Sequence, residues 1–182
     1  MLDVRPLRLA GLYEIRPERF GDERGFFSEV WRREAMAAAG IEIDWVQDNH
    51  SFSAAKGVLR GLHFQEPPAA QDKLVRVSRG SVFDVAVDIR RGSPTFGEWE
   101  GLILSTADWN QLLVPRGFAH GFVTLEENTE VQYKASAPYR TDLDRAIRFD
   151  DPAIGIEWPA LGVPLTLSDK DRNAPLLSEI AA

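Results

Sequence analysis

Between residues 43 and 135 the chain is a succession of short β-forming runs cut at near-regular intervals by turn chemistry. The runs lie at 43–49, 58–65, 73–78, 81–89, 98–105, 111–115, 120–126 and 129–135. Pro67-Pro68, Gly80, Gly92-Ser93-Pro94, Pro115-Arg116-Gly117 and Glu127-Asn128 separate most of them, and these residue types punctuate strands because each presets a turn dihedral. A βαβ alternation is absent, which argues against a Rossmann fold. Many short strands with polar turns predict an all-β barrel or sandwich.

The flanks carry less pattern. Residues 1–11 read as a leader. Tyr13 and Ile15 then alternate with Glu14 and Arg16 until Pro17 ends the run. Phe20 to Glu29 mixes glycines and charges with aromatics, as a turn leading into a strand does. Trp31 to Ala39 is the best helix candidate, with Gly40 as its stop. Beyond residue 150, prolines at 152, 159, 164 and 175 suggest a tail wrapped on the barrel rather than a second domain. A length of 182 residues fits one domain, 1–182, with a core that needs no staples.

Composition removes several function classes. Without cysteine there is no disulfide framework, thiolate nucleophile or zinc–thiolate site. A net charge of −7 argues against non-specific nucleic-acid binding. It leaves room for a phosphate-bearing ligand in a cleft where arginines and lysines gather. No basic segment followed by an apolar stretch opens the chain, and no apolar run approaches membrane-spanning length. A cytoplasmic protein with neither nucleic acid nor membrane as partner is expected.

The strand at 81–89 divides its faces. Phe83, Val85, Val87 and Ile89 share one, and Val82, Asp84, Ala86 and Asp88 share the other. That fits a barrel wall packed outside and partly polar inside, although aspartates on an arbitrary strand more often face water. His63 lies in Gly57-Val-Leu-Arg-Gly-Leu-His-Phe-Gln65. It is either a hydrogen-bonded barrel histidine or a base suited to proton transfer near neutral pH. Arg60 has the opposite parity, so both reach one cavity only if Gly61 forms a bulge or bend. Lys73 is either a solvated strand end or a cation for a developing oxyanion. His120, after Pro115 and Gly117, has the spacing of the second half-motif of cupin barrels. The first half-motif lacks its partners, because Gln65 stands where a second histidine is needed. Two histidines make a poor zinc or iron site, so no metal is expected. Tyr133, on the parity of Val131 and Ala135, is a core tyrosine or an acid facing the base. Asp171 matters only if the tail folds back onto His63.

The motifs taken together are more specific. Phe-Gly-Asp-Glu-Arg-Gly-Phe-Phe (20–27), Val-Gln-Asp-Asn-His-Ser (46–51), the 57–65 segment and Lys-Leu-Val-Arg-Val (73–77) occur in order. Val-Phe-Asp-Val-Ala-Val-Asp-Ile-Arg (82–90), Gly-Ser-Pro-Thr-Phe-Gly (92–97) and Gly-Phe-Ala-His-Gly-Phe (117–122) follow. Tyr-Lys (133–134), Ile-Glu-Trp-Pro (156–159) and Leu-Ser-Asp-Lys-Asp (167–171) complete the set. Over nearly its whole length the chain resembles the dTDP-4-dehydrorhamnose 3,5-epimerases. The resemblance implies a cupin-like double-stranded β-helix, or jelly roll, with a few short peripheral helices. It also implies a homodimer and the use of no metal or organic cofactor. The implied reaction converts a dTDP-linked 4-keto-6-deoxyhexose, dTDP-4-dehydro-6-deoxy-D-glucose, to dTDP-4-dehydro-L-rhamnose, a step of dTDP-L-rhamnose synthesis. By motif position His63 is the base, Asp171 its orienting carboxylate, Tyr133 the acid and Lys73 the enolate's cation. Arg24, Glu29, Gln47, Asp48, Asn49, Arg60, His120 and Lys170 line the nucleotide-sugar site, and Tyr139 stacks on thymine. The family often has a glutamate where this chain has Asp144. Arg24 and Glu29 are expected to serve the partner's barrel. The competing readings are a single-carbon epimerase or ketoisomerase on the same fold, a metal-dependent cupin oxygenase, and a non-catalytic sugar-nucleotide binding module.

Overall fold

The structure is a computed structural model that describes residues 2–180. Its strands are β1 (Asp3–Pro6), β2 (Tyr13–Arg16), β3 (Phe20–Asp22), β4 (Gly25–Phe27), β5 (Gln47–Ser53), β6 (Leu59–Gln65) and β7 (Lys73–Arg79). They continue with β8 (Ser81–Asp88), β9 (Trp99–Ser105), β10 (Gln111–Val114), β11 (Phe118–Thr124), β12 (Thr129–Ala135) and β13 (Asp144–Ala146). The helices α1 (Arg33–Ala38), α2 (Asp169–Arg172) and α3 (Leu177–Ile180) are each under two turns. A six-stranded sheet in the order β1-β2-β10-β7-β12-β5 faces a five-stranded sheet in the order β13-β6-β11-β8-β9. Neighbouring strands within both sheets run antiparallel. The hairpin β3-β4 stands as a separate two-stranded ribbon. This is the all-β architecture expected from the strand pattern, in the cupin-like form that the family resemblance implies.

Alternation along the strands decides what each layer buries. Val75 and Val77 of β7, Val131 of β12, and Val82 and Ala86 of β8 meet between the sheets. Their odd-numbered neighbours on β8, Val85 and Val87, point the other way. There they pack under the C-terminal tail with Leu62, Ile147, Ile154 and Leu177. The outer face of the six-stranded sheet is covered by Met36 of α1 and by Trp31, packed on Leu74, Leu113 and Ile15. Removing such aliphatic surface from water supplies roughly 25 cal/mol per Å², which is what holds both outer layers to the sheets. On β8, Asp84 and Asp88 are both fully buried, so the inward reading of that strand holds and the solvent reading fails. Asp88 is satisfied by the turn that follows. It accepts from the backbone and guanidinium of Arg90 and from the hydroxyls of Ser93 and Thr95.

Several boundaries differ from the sequence pattern. The strand expected at 43–49 runs from Gln47 to Ser53. Ile43 and Trp45 drew it early, but they pack against the α1 cluster instead. The helix is Arg33–Ala38 rather than 31–39, because Trp31 is spent on the sheet face. The expected leader contains an edge strand, β1, paired with β2. β13 has no β-forming residue and exists through its pairing with β6. The proline-rich tail does wrap the barrel, held by Leu59 N–H to Thr166 O at 2.9 Å and Arg148 N–H to Pro175 O at 2.9 Å.

Candidate active site

A cavity of about 400 Å³ opens between the two sheets. His63, on β6, forms part of one wall. Lys73 and Tyr133, on β7 and β12, come from the facing sheet, and Asp171 and Lys170 come from α2. Arg60 and His63 both line this cavity despite their opposite parity. The reason is a bulge. β11 matches His120 to His63 but Phe122 to Arg60, so β6 holds one extra residue between them. Gly61 takes that position with φ +139°, and a Cβ there would stand 2.5 Å from the Cα of Gly121. A bulge that re-aims a side chain beside a site is a common use of the device.

His63 Nε2 lies 2.5 Å from Asp171 Oδ1. The carboxylate accepts the Nε2 proton and leaves Nδ1 as the nitrogen with a free lone pair. Asp171 is buried, which alone would raise its pKa. Hydrogen bonds from His63, Ser168 and the Gly61 backbone outweigh that and hold it below the usual carboxylate range. Ser168 caps α2 by accepting the Asp171 N–H at 3.1 Å, so the four-residue helix sets the carboxylate's direction.

Lys73 reaches from the six-stranded sheet to the backbone of the other wall, donating to His63 O at 3.4 Å. Its Nζ lies 5.9 Å from the centroid of the Tyr133 ring. Burial lowers its pKa to about 8, and the carboxylates of Asp84 and Asp144 only partly restore it against Lys170. The Tyr133 phenol moves up instead, first by burial, then by Asp144, with Arg60 opposing. A phenol held above its usual pKa keeps its proton at neutral pH and can give it away. The arrangement therefore places a carboxylate-backed imidazole on one wall, a proton-bearing phenol on the other, and a cation between them.

The remaining sequence-predicted residues divide into three groups. Arg60, His120 and Lys170 line the cavity, and His120 Nε2 hydrogen-bonds Asp84 Oδ1 at 2.8 Å. Gln47, Asn49, Tyr139 and Asp144 form a hydrogen-bonded chain that ends on Lys170, beside the cavity rather than in its lining. Gln47 donates to Asn49 at 2.9 Å and accepts the Tyr139 N–H at 2.9 Å. Asp144 accepts from the Tyr139 hydroxyl at 3.0 Å and from the Lys170 ammonium. The third group is not brought to this cavity. Asp48 shares a cross-strand pair with Lys134 on the outer face of the sheet, 3.0 Å away. Arg24 pairs with Asp22 on the separate hairpin, and Glu29 lies 3.5 Å from Arg32. Among the described residues no group of three or more histidines, aspartates or glutamates gathers as a metal site. Gln65 is engaged elsewhere, donating to Ala69 O and Pro138 O and accepting the Arg140 N–H. Asp84 had no role assigned from sequence. The signal for it was present: two carboxylates on the inward parity of a valine-rich strand.

A family model described as dTDP-4-dehydrorhamnose 3,5-epimerase matches residues 6–179. The dTDP-4-dehydrorhamnose 3,5-epimerase of Sinorhizobium fredii is 51% identical over 174 residues, covering 96% of this chain and 89% of that protein. The crystal structure of an epimerase from Legionella pneumophila in complex with dTDP-4-keto-L-rhamnose superposes with a TM-score of 0.95 at 45% identity. That match covers 99% of this chain and 95% of the other. A 3'-monoepimerase from Streptomyces bikiniensis, solved with dTDP-quinovose, is more distant, at a TM-score of 0.89 and 34% identity over 96% of this chain and 87% of that one.

The buried ammonium carries a stability cost with a defined pH window. Lys73 has a folded pKa of about 8, below its unfolded value of about 10.4, so the unfolded chain binds more protons between the two. The cost is complete below about pH 8 and is relieved as pH rises towards the unfolded value. The parent is therefore expected to gain stability as pH rises from about 8 towards the unfolded value, a rise that Lys73→Met lacks. Urea unfolding of both proteins at a series of pH values measures this, and parallel pH dependences across that window would contradict it.

Proposed function

The chain belongs to the dTDP-4-dehydrorhamnose 3,5-epimerase family, and on that footing we propose that it epimerises dTDP-4-dehydro-6-deoxy-D-glucose at carbons 3 and 5. The product is dTDP-4-dehydro-L-rhamnose. The observation that carries this reading is the opposition of His63–Asp171 on one wall to Tyr133 on the other, with Lys73 between.

Carbons 3 and 5 flank the ketone at carbon 4, so their protons are acidic only because the resulting carbanion is an enolate. His63 removes the proton and the electron pair moves onto the carbonyl oxygen. Lys73 supplies positive charge there, and donors preorganised at such an oxyanion contribute about 3–4 kcal/mol each. Tyr133 then delivers a proton to the opposite face as the electron pair returns to carbon, which inverts the centre. Asp171 keeps the His63 tautomer and stabilises the imidazolium that forms. A well-placed base contributes on the order of 10²–10⁴-fold. Each inversion leaves His63 protonated and Tyr133 deprotonated, so both must exchange with water before the second centre reacts. The net change is redox-neutral, and no cofactor enters the scheme. Arg60, His120 and Lys170 would take the diphosphate, which suits their donor chemistry. Gln47, Asn49, Tyr139 and Asp144 would hold the nucleoside beside the cavity.

We also propose that the protein acts as a homodimer whose β3-β4 hairpin reaches the partner's cavity. Phe20, Phe26 and Phe27 are 56%, 54% and 71% exposed on that hairpin, and clustered exposed aromatics mark a contact surface. The same ribbon carries Arg24 away from its own cavity. No helix among the described residues is long and apolar enough to cross a membrane, and a cytoplasmic location fits the substrate. The similarity to a 3'-monoepimerase keeps inversion at carbon 3 alone as the second reading.

Turnover of the keto sugar in deuterated buffer separates the two readings. Proton NMR is expected to show deuterium at both carbons of the product, and label at one carbon alone would establish the monoepimerase. For the dimer, Arg24→Ala and His63→Asn are each expected to lose activity, and mixed subunits to regain up to about a quarter of it through one intact composite site. Mixtures as inactive as either parent would contradict a hairpin that serves the partner.

A further inference from the structure

Asp84 is a buried charge that the proton-transfer scheme leaves unused. Its residue is fully inaccessible to solvent. One carboxylate oxygen accepts from His120 Nε2 at 2.8 Å, and the other, Oδ2, is buried with no hydrogen-bond partner. An uncompensated carboxylate oxygen in a dry interior is expensive unless a nearby positive charge balances it. Strand parity identifies the balancing group. Val82 and Ala86 flank Asp84 on the inward face of β8, and they pack against Val75 and Val77, which continue the inward face of β7 from Lys73. The buried ammonium and the buried carboxylate thus face the same interior from opposite sheets. Lys73 has one hydrogen bond of its own, a long one to a backbone carbonyl, so hydrogen bonding does little to keep it charged.

We propose that Asp84 is a positioning residue for the epimerisation, whose negative charge holds Lys73 in the cationic form that the enolate requires and whose hydrogen bond aims His120 into the cavity. Every charged or titratable neighbour of Lys73 bears on this. Asp84 from β8 and Asp144 from β13 favour the ammonium, Asp84 more strongly, while Lys170 from α2 disfavours it. Tyr133 on β12, Arg60 and His63 on β6, His120 on β11 and Asp171 on α2 line the same cavity. Asp144 is shared with Lys170 and the Tyr139 hydroxyl, which leaves Asp84 as the carboxylate not engaged by another cationic side chain at its free oxygen.

Asp84→Asn separates charge from hydrogen bonding, because the amide keeps an oxygen that can accept from His120. The inference rests on the reading of Lys73 as the enolate's cation only for its kinetic readout. In the parent enzyme, kcat/KM is expected to fall as pH rises through about 8, where Lys73 loses its proton. In Asp84→Asn that alkaline limb is expected to move down by about one pH unit or more, giving a several-fold loss at pH 8 that shrinks at lower pH. Direct titration of the Lys73 side chain by carbon-13 NMR, in both proteins, should show the same displacement without reference to turnover. An unmoved Lys73 titration overturns the proposal, and so does a rate loss equal at every pH. Displaced titration with unmoved kinetics would spare the Asp84–Lys73 coupling and count against the role given to Lys73. If the variant does not fold, the parent decides: the Asp84 carboxyl carbon must show an inflection at the Lys73 midpoint, and its absence is equally fatal.

Discussion

The hydrogen bond from His63 to Asp171 joins two segments 108 residues apart, and the candidate site depends on it. One partner sits on a bulged barrel strand. The other sits on a four-residue helix too short to hold itself in water. The segments on either side of it are packed, and Ser168 caps it. Leu177, Ile154 and Ile147 bury the tail against the back of β8 and β11. Asp151 accepts the Leu177 N–H at 2.7 Å and anchors the tail's last turn. The outer apolar layer therefore packs the segments on either side of α2, the helix that carries Asp171 to His63.

The interior shows what such a site costs. A jelly roll ordinarily fills the space between its sheets with side chains. Here the inward positions change from valine on the shared core to lysine, tyrosine, histidine and aspartate at one end. Lys73 and Asp84 have given up water for a cavity where each has few hydrogen bonds. That is a poor arrangement for stability and, under the proposed mechanism, a useful one for catalysis, because charges removed from bulk water act strongly on a developing oxyanion. The two-sheet architecture also supplies stereochemistry. A base and an acid on facing sheets address opposite faces of a ring bound between them, which strands of a single sheet would do less readily.

Much of this was legible in the chain. Short runs and turn residues were enough to indicate an all-β fold, and the parity of β8 suggested which face turned inward. Gly61 announced a bulge, because a glycine between Arg60 and His63 was the way to bring both into one cavity. Other features were hidden for physical reasons. β13 is a strand through its neighbour rather than its own residues. Ile43 and Trp45 imitated a strand while serving the α1 cluster. α2 was too short for any periodicity, although Ser168 three residues before Asp171 carried a capping signal. Arg24 and Glu29 lie away from the chain's own cavity and Asp48 lies on the outer sheet face, positions that motif spacing alone does not specify.

In the proposed mechanism two groups on facing sheets divide one proton transfer, His63 removing and Tyr133 delivering. Tyr133→Phe in deuterated buffer tests it most directly. This variant is expected still to exchange the ketone-flanking protons of the substrate for deuterium, through His63, but to return them to the same face, so that label enters without inversion. Product with inverted centres formed at the parent rate would contradict it.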